Sequence, residues 1–185
     1  TAIAWFAGIV VLAALAGFIS PKLLSDQKPG ASSSNGPLTF TVADYDPLGD
    51  EREHPDTVQN VADTDLLSEW TTETYTAATP TFGKAGVGVL LRFEGAHRVN
   101  EVRLASDSLG AVVVILGQGG TLANRRVISA ATTISSDETV IAITTEQAQA
   151  GIVVWFTRPG DELIDGGYRA EVGQVTVMGA ANSSG

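Results

Sequence analysis

The chain contains no cysteine, and basic residues are scarce. Without cysteine there is no disulfide framework and no cysteine nucleophile. Because an exported domain can also fold without disulfides, the absence of cysteine does not decide the cellular compartment of the protein. Lysine and arginine together number 11 against 21 aspartate and glutamate residues, which gives a net charge of −10. This excess argues against nucleic acid or an anionic lipid surface as the main partner, because both attract clustered basic residues.

Charge is also missing from the start of the chain, where an unbroken apolar run extends from Ala2 to Ile19. A helix of this length, at about 1.5 Å per residue, is as long as the hydrocarbon core of a bilayer is thick. We therefore predict one transmembrane helix over residues 1–20, stopped by Pro21. A signal peptide fits less well because there is no basic start and no cleavage site, and a buried soluble helix would seldom lack a polar face. Because the chain begins with Thr1 rather than Met, we expect it to be the last part of a longer protein.

The remaining sequence predicts a tether followed by one domain. Residues 21–37 are rich in Ser, Gly and Pro and predict a flexible linker. Residues 38–180 are numerous enough to bury a hydrophobic core, and residues 181–185 are predicted to be a disordered tail. Apolar residues in the domain recur with a step of two or form short blocks, which predicts strands. The predicted strands are Leu38–Ala43, Val87–Phe93, Val99–Ala105, Ala111–Leu116, Val140–Thr144, Ile152–Thr157 and Val172–Met178, with a weaker one at Arg126–Ser129.

Two kinds of strand pattern indicate a sandwich. Val87–Leu91 and Ile152–Phe156 are almost continuously apolar, as expected of central strands covered on both faces. Val99–Leu104 instead alternates apolar with polar residues, as expected of a strand with one face in water. Seven or eight such strands without a convincing helix predict an all-β, two-layer antiparallel β-sandwich.

The loop after the first predicted strand is strongly acidic, with six carboxylates between Asp44 and Asp56. Such a density of oxygen ligands can hold a hard cation. The alternative is a solvated acidic turn, since runs of charge are usually exposed to water. The acidic residues are Asp44, Asp46, Asp50, Glu51, Glu53 and Asp56.

A second loop carries a recognisable motif. Between Ala62 and Trp70, Asp63 and Asp65 are followed by Ser68 and then by the tryptophan, which is predicted to plug the core. This pattern resembles the Ala-x-Asp-Gly-Asp-x-x-Thr-x-Trp signature of discoidin-like domains, which are galactose-binding-like jelly rolls. Val89–Gly95 and Tyr168–Val177 are similar to further strands of that family. The resemblance implies a jelly-roll β-sandwich.

The resemblance also implies a structural calcium ion in the motif loop. Two departures stand against it: Thr64 replaces the usual glycine and Ser68 replaces threonine. The alternative is a turn held by its own hydrogen bonds, because Asp readily caps its own backbone. The implied ligands are the carbonyl of Val61, the side chains of Asp63, Asp65 and Ser68, and Glu171 from the closing strand.

Where ligands of this family are known, they are often glycans held at the loop end by aromatic rings and polar side chains. The alternatives to ligand binding are that Tyr75 and Phe82 cover the ends of the sheet and that His54 is an ordinary surface residue. An aromatic content of only 6% makes a strong sugar platform less favourable. The residues predicted to bind a ligand are Arg52, His54, Tyr75, Phe82 and Tyr168.

A narrower resemblance covers nearly the whole chain. Tyr45–Asp50, Trp70–Tyr75 and Gly86–Gly88 are similar to the C-terminal extracytoplasmic domain of actinobacterial MviN-type proteins. In those proteins a lipid II flippase-like membrane domain is joined to a pseudokinase, one membrane span and this module. The resemblance implies a role in peptidoglycan biosynthesis at the cell membrane.

The sequence gives little support to catalysis. It contains no Gly-x-Ser-x-Gly elbow and no His-Glu-x-x-His motif, and Gly117–Gly120 lacks the Lys-Ser/Thr and helix of a phosphate-binding loop. We predict a membrane-anchored, extracytoplasmic, non-catalytic binding module that contacts a cell-wall glycan or an envelope protein. The alternative is a structural or protein-interaction domain with no carbohydrate ligand.

Overall fold

The computed structural model describes residues 35–65, 67–76, 84–118, 124–163 and 166–181. Within these ranges the regular structure is β-strand, with one short 3₁₀-helix at Val58–Ala62. The strands are β1 (Asn35–Pro37), β2 (Phe40–Tyr45), β3 (Trp70–Thr71), β4 (Val87–Ala105), β5 (Val112–Leu116), β6 (Thr132–Thr133), β7 (Glu138–Ala142), β8 (Gln149–Arg158), β9 (Glu171–Val172) and β10 (Gln174–Ala181).

The long strand β4 organises the fold. Its first half pairs antiparallel with β2 and β8, and its second half pairs antiparallel with β7 and β10. The pairing with β8 shifts register between Arg92 and His97, where Gly95 has a φ of 81°, in the left-handed region that favours glycine. Strands β5 and β6 extend the first half beyond β8, and β1 extends the second half beyond β10.

Both halves of β4 contribute to one hydrophobic core. Val89 and Leu91 from the first half and Val102 and Leu104 from the second half are completely buried in the same cluster as Phe156 of β8. Since residues two apart along a strand share a face, this cluster fills the space between two layers of sheet. The predicted all-β sandwich is therefore confirmed.

A smaller apolar cluster lies on the other face of the central strands. Leu90, Val153 and Trp155 are buried there beside Val114, and Tyr45 packs against them. The central strands β4 and β8 are thus covered on both faces, as their continuous apolar sequences predicted. The second half of β4 has the predicted wet face, where Arg103 is exposed.

Most predicted strands are present with shifted ends. The strands predicted at Val87–Phe93 and Val99–Ala105 are one continuous strand, whereas the closing strand is divided by Gly173 into β9 and β10. The weak strand at Arg126–Ser129 is absent from the described residues as a regular strand, and only isolated bridges at Val127 and Ser129 mark it. Strand β1, which precedes the predicted domain start at Leu38, pairs with β10 and so belongs to the sandwich.

The helix predicted over residues 1–20 lies outside the described residues, as do most of the predicted linker and the tail after Ala181. Within the described ranges, no helix is both long and apolar enough to cross a bilayer.

Candidate functional site

Strand register brings four loops to one end of the sandwich. Tyr45 at the end of β2 pairs with Gly88 near the start of β4, and Val87 pairs with Phe156 near the end of β8. Val112 at the start of β5 pairs with Arg158. The loops that follow β2 and β8 and that precede β4 and β5 therefore emerge together, and we call this region the loop end.

Glu53 is the hub of the loop end. Its side chain is fully buried, and its carboxylate accepts a hydrogen bond from the backbone N–H of Glu73 at 2.7 Å, from Nζ of Lys84 at 3.0 Å and from the hydroxyl of Tyr75. Its backbone carbonyl accepts a 2.6 Å hydrogen bond from the indole of Trp70. One glutamate thus fastens the acidic loop to the segment that carries Trp70 and Tyr75.

Lys84 pairs with two buried carboxylates at once. Its Nζ lies 2.7 Å from Oδ1 of Asp46 as well as 3.0 Å from Glu53, and the Lys84 side chain itself is only 15% exposed. Burial by itself would lower the pKa of Lys84, but the hydrogen bonds and negative charges of Asp46 and Glu53 outweigh it, so the pKa lies above its usual value. Lys84 therefore stays charged at physiological pH.

Tyr75 belongs to the same cluster. Burial raises the pKa of its hydroxyl strongly, and the hydrogen bond and charge of Glu53 raise it further. The Nζ of Lys84 also lies 5.2 Å from the centre of the Tyr75 ring, within the range of a cation–π contact. Tyr75 is consequently a neutral hydrogen-bond donor that helps to hold the loops together.

The acidic loop is strained on its exposed side. Glu51 and His54 have φ values of 67° and 50°, a region that side-chain-bearing residues seldom adopt. His54 Nδ1 lies 2.9 Å from the carbonyl oxygen of Thr71, and because a carbonyl can only accept, Nδ1 carries the hydrogen. The backbone of Arg52 donates to Asp50, and the Arg52 residue is exposed. The loop is therefore fixed in a shape that leaves Arg52 facing solvent.

The two predicted tyrosines lie side by side. Tyr75 and Tyr168 form an isolated antiparallel bridge with reciprocal N–H to carbonyl hydrogen bonds of 2.8 Å, which continues the pairing of β3 with β9. Both residues are partly exposed. Through Glu53, which lies between Arg52 and His54, four of the five predicted ligand residues belong to one connected region. Phe82 lies outside the described residues.

The motif loop forms a hydrogen-bonded turn. Oδ1 of Asp63 accepts from the backbone N–H of Asp65 at 2.9 Å, and Oδ2 accepts from the hydroxyl of Ser68 at 2.8 Å. Gln174 fixes the carbonyl of Asp63 from β10 at 2.9 Å, and the predicted core plug Trp70 is completely buried. These contacts match the alternative to a metal site, a turn in which aspartate caps its own backbone.

The fifth implied calcium ligand is engaged elsewhere. The carboxylate of Glu171 accepts hydrogen bonds from the guanidinium of Arg169, and its charge helps burial to raise the pKa of Glu69. Val61 is buried within the 3₁₀-helix. No group of three or more acidic or histidine side chains in the described ranges is arranged to hold a metal. Calcium stays a prediction of the resemblance alone.

The acidic loop is a solvated turn only in part. Asp46 and Glu53 are buried, which excludes a solvated turn for these two residues, whereas Asp50, Glu51 and Asp56 are exposed as that interpretation expects. The cation that the buried carboxylates contact is the protein's own Lys84. Sequence reasoning missed this lysine, because nothing local marks a residue separated by 31 positions from Glu53 as its partner.

The fold is similar to those of solved carbohydrate-binding modules. A chitosan-binding module of a chitosanase/glucanase from Paenibacillus sp. IK-5 gives a TM-score of 0.52 at 17% identity, with 76% of this chain and 95% of that chain covered. The family 32 module of NanJ from C. perfringens, in complex with galactose, gives 0.51 at 10% identity, with 78% and 99% covered. The CBM32 of AlyQ, in complex with 4,5-unsaturated mannuronic acid, gives 0.53 at 16% identity, with 77% and 97% covered.

At these identities the likeness concerns the fold alone, and it agrees with the predicted β-sandwich. No protein-family model matches the chain, and no curated protein matches its sequence.

Proposed function

We propose that the loop end is a non-catalytic glycan-binding surface. The observation that carries the proposal is the fixed loop around Glu53, which leaves Arg52 exposed next to His54 while Tyr75 and Tyr168 are paired beside it. A loop that is already ordered loses little conformational entropy when it binds, so a small polar surface can give useful affinity. The similarity of the fold to carbohydrate-binding modules supports the same function.

The buried charges of the loop end favour binding over catalysis. Glycoside hydrolysis needs two carboxylates that can exchange protons with the substrate. Asp46 and Glu53 are instead paired with Lys84 beneath the surface, so neither is available as an acid or a base. No turnover is part of the proposal.

We further propose that the apolar run at the start of the chain anchors this module to the cell membrane and that the module lies on the extracytoplasmic side. Confinement near the membrane would raise its effective concentration for a cell-wall glycan or an envelope protein. The resemblance to MviN-type proteins supports a role beside a lipid II flippase-like domain. The upstream sequence tests this: a dozen or more hydrophobic spans and a kinase-like domain are expected, and a short upstream stretch would remove the flippase context.

A protein-interaction function with no sugar ligand is the second candidate. It is favoured by apolar side chains exposed at loops, since such groups are typical of protein contacts. Leu67 is 94% exposed in the motif loop, and Leu48 and Leu109 are each 47% exposed. A purely structural domain would likewise bind no sugar.

Replacing Arg52 by alanine should weaken glycan binding about 10-fold or more, because a charge-assisted hydrogen bond to a ligand contributes about 1.5–3 kcal/mol. The measurement is titration of the full chain with muropeptides and wall polysaccharides. Arg103→Ala is the matched control, because Arg103 is an exposed arginine in the second half of β4 that pairs with Glu101. Saturable binding lost only in Arg52→Ala supports the proposal. If none of the muropeptides and polysaccharides binds, the result supports the protein-interaction function.

Calcium binding has its own test. If the implied site exists, raising calcium to about 100 times its dissociation constant should stabilise the chelator-treated protein by about 2.7 kcal/mol. The measurement is the melting temperature, with calorimetry for heat of binding. Asp63→Asn should abolish the rise, whereas Asp56→Asn, an exposed acidic residue in another loop, should not. An unchanged melting temperature without heat would leave the hydrogen-bonded turn as the only account of the loop.

A further inference from the structure

A second groove lies away from the loop end, on the outer face of the first half of β4. It is lined by Leu90 and Arg92 of β4, by Gly151 of β8, and by Gln118 and Arg125 from the chain after β5. Leu90 belongs to the outer apolar cluster and is 6% exposed, so it gives the groove an apolar floor. Arg92 pairs with Gly151 near the start of β8, whereas the loop end follows the end of β8. Arg92 and Gly151 therefore lie away from the loop end, whereas Arg125 reaches toward Tyr45.

Arg125 is held in a fixed orientation in this groove. Its Nε donates to the hydroxyl of Tyr45 at 3.1 Å, its Nη1 donates to the carbonyl of Gly117 at 3.4 Å, and its guanidinium lies 5.0 Å from the centre of the Tyr45 ring. Tyr45 in turn packs edge-on against Trp155, with ring centres 5.9 Å apart. A guanidinium has five N–H groups, and the described residues accept hydrogen bonds from only two of them. Within the described part of the chain, the remaining N–H groups of Arg125 have no acceptor.

Arg92 lies at the edge of the same groove and has no carboxylate partner among the described residues. It is exposed, and no described residue forms an ion pair with it. Opposite it, Gly151 has no side chain, and a Cβ there would come within 2.6 Å of the carbonyl oxygen of Leu91. This close approach of the two strands requires glycine and keeps the space beside Arg92 open.

Among the described arginines, Arg98, Arg103 and Arg169 pair with a glutamate. Arg92 and Arg125, like Arg52, Arg126 and Arg158, do not. The described acidic residues leave Arg92 and Arg125 unpaired even though both line one groove. Two arginines that line one groove with an apolar floor match the requirements of an anionic ligand, because a guanidinium can donate a pair of parallel hydrogen bonds to a carboxylate.

We propose that this groove binds the carboxylate of an acidic saccharide. Gln118 supports a sugar rather than a simple anion: its Oε1 accepts from the N–H of Ala150 at 3.3 Å, which leaves its amide N–H groups to donate to hydroxyls. The groove is open along the sheet rather than enclosed, so a polymer can lie in it. This site does not depend on the glycan surface at the loop end.

Titration of the full chain with tri-galacturonate tests the site. We expect saturable binding, with NMR shift changes at Arg92, Gly151 and the side chain of Arg125, and weaker binding at higher salt. Arg92→Gln should weaken binding about 10-fold or more. Arg92→Lys keeps the positive charge but cannot donate two parallel hydrogen bonds, so it should give an intermediate loss of affinity. Arg126→Gln is the matched control, because Arg126 is an exposed neighbour of Arg125 that donates to Gln147, and binding should be unchanged.

Four results would overturn the site. Equal binding of the methyl-esterified trisaccharide would show that the carboxylate is not recognised. Competition by inorganic phosphate at the same affinity would show an anion site with no preference for sugar. No binding of tri-galacturonate, or binding lost in Arg52→Ala but kept in Arg92→Gln, would remove the groove as a site. The last pattern would leave the function proposed for the loop end intact.

Discussion

Replacing Lys84 by methionine is expected to lower the free energy of unfolding by about 3–5 kcal/mol, the usual cost of removing one partner from a buried ion pair. Asp46 and Glu53 are 2% and 0% exposed, so without the ammonium both carboxylates would be left in the interior near each other. For a domain of this size the change corresponds to a fall in melting temperature of roughly 10 °C. Chemical unfolding followed by tryptophan fluorescence measures it.

Arg103→Met is the control, because it removes a cation from the exposed pair with Glu101 and should change stability by less than about 1 kcal/mol. Adding Asp46→Asn and Glu53→Gln to Lys84→Met should recover part of the loss, since the carboxylates then no longer need a cation. Equal effects of Lys84→Met and Arg103→Met would show that the buried cluster does not stabilise the loop end.

The same cluster predicts how stability depends on alkaline pH. The pKa values of Lys84 and Tyr75 are raised in the folded state, so above about pH 10 the unfolded chain loses protons that the folded protein keeps. The contribution of these two groups to stability should therefore be constant below that pH and fall above it, by up to about 1.4 kcal/mol per pH unit for each group. Tyr75→Phe should make the fall shallower than in the unmodified protein. Parallel curves would contradict the raised pKa of Tyr75.

Replacing Trp70 by alanine should destabilise the protein by about 3–5 kcal/mol, because a large, fully buried side chain is removed from the core. The change also removes the 2.6 Å hydrogen bond from the indole to the carbonyl of Glu53. Denaturant midpoints at constant slope give the loss in stability.

Two variants separate the causes of this effect. Trp70→Phe keeps an aromatic ring but not the indole N–H, so it should lie between the unmodified protein and Trp70→Ala. Leu67→Ala, in the same loop but 94% exposed, should change stability by less than about 0.5 kcal/mol. If Trp70→Ala cost no more than Leu67→Ala, the tryptophan would not be the plug of the core.

The central strands were predictable because burial on both faces determines their amino-acid composition. A strand covered on both faces must be apolar at every position, and Val87–Leu91 and Ile152–Phe156 are. The prediction that Trp70, at the end of the Asp63–Trp70 motif, is buried in the core is also confirmed. Short strands such as β3 and β6 carry too few residues for any periodic signal.

The candidate site was predictable only in part, because its residues depend on pairing between distant segments. Arg52, His54, Tyr75 and Tyr168 were identified as residues of suitable chemistry, but their connection through Glu53 was not. The sequence by itself determined that the domain is a β-sandwich, because the step-two periodicity of apolar residues decides which face each side chain occupies. Only the tertiary structure decided which of six nearby carboxylates enter the interior, because burying a charge requires a partner, and Lys84 reaches Asp46 and Glu53 only after the strands have paired.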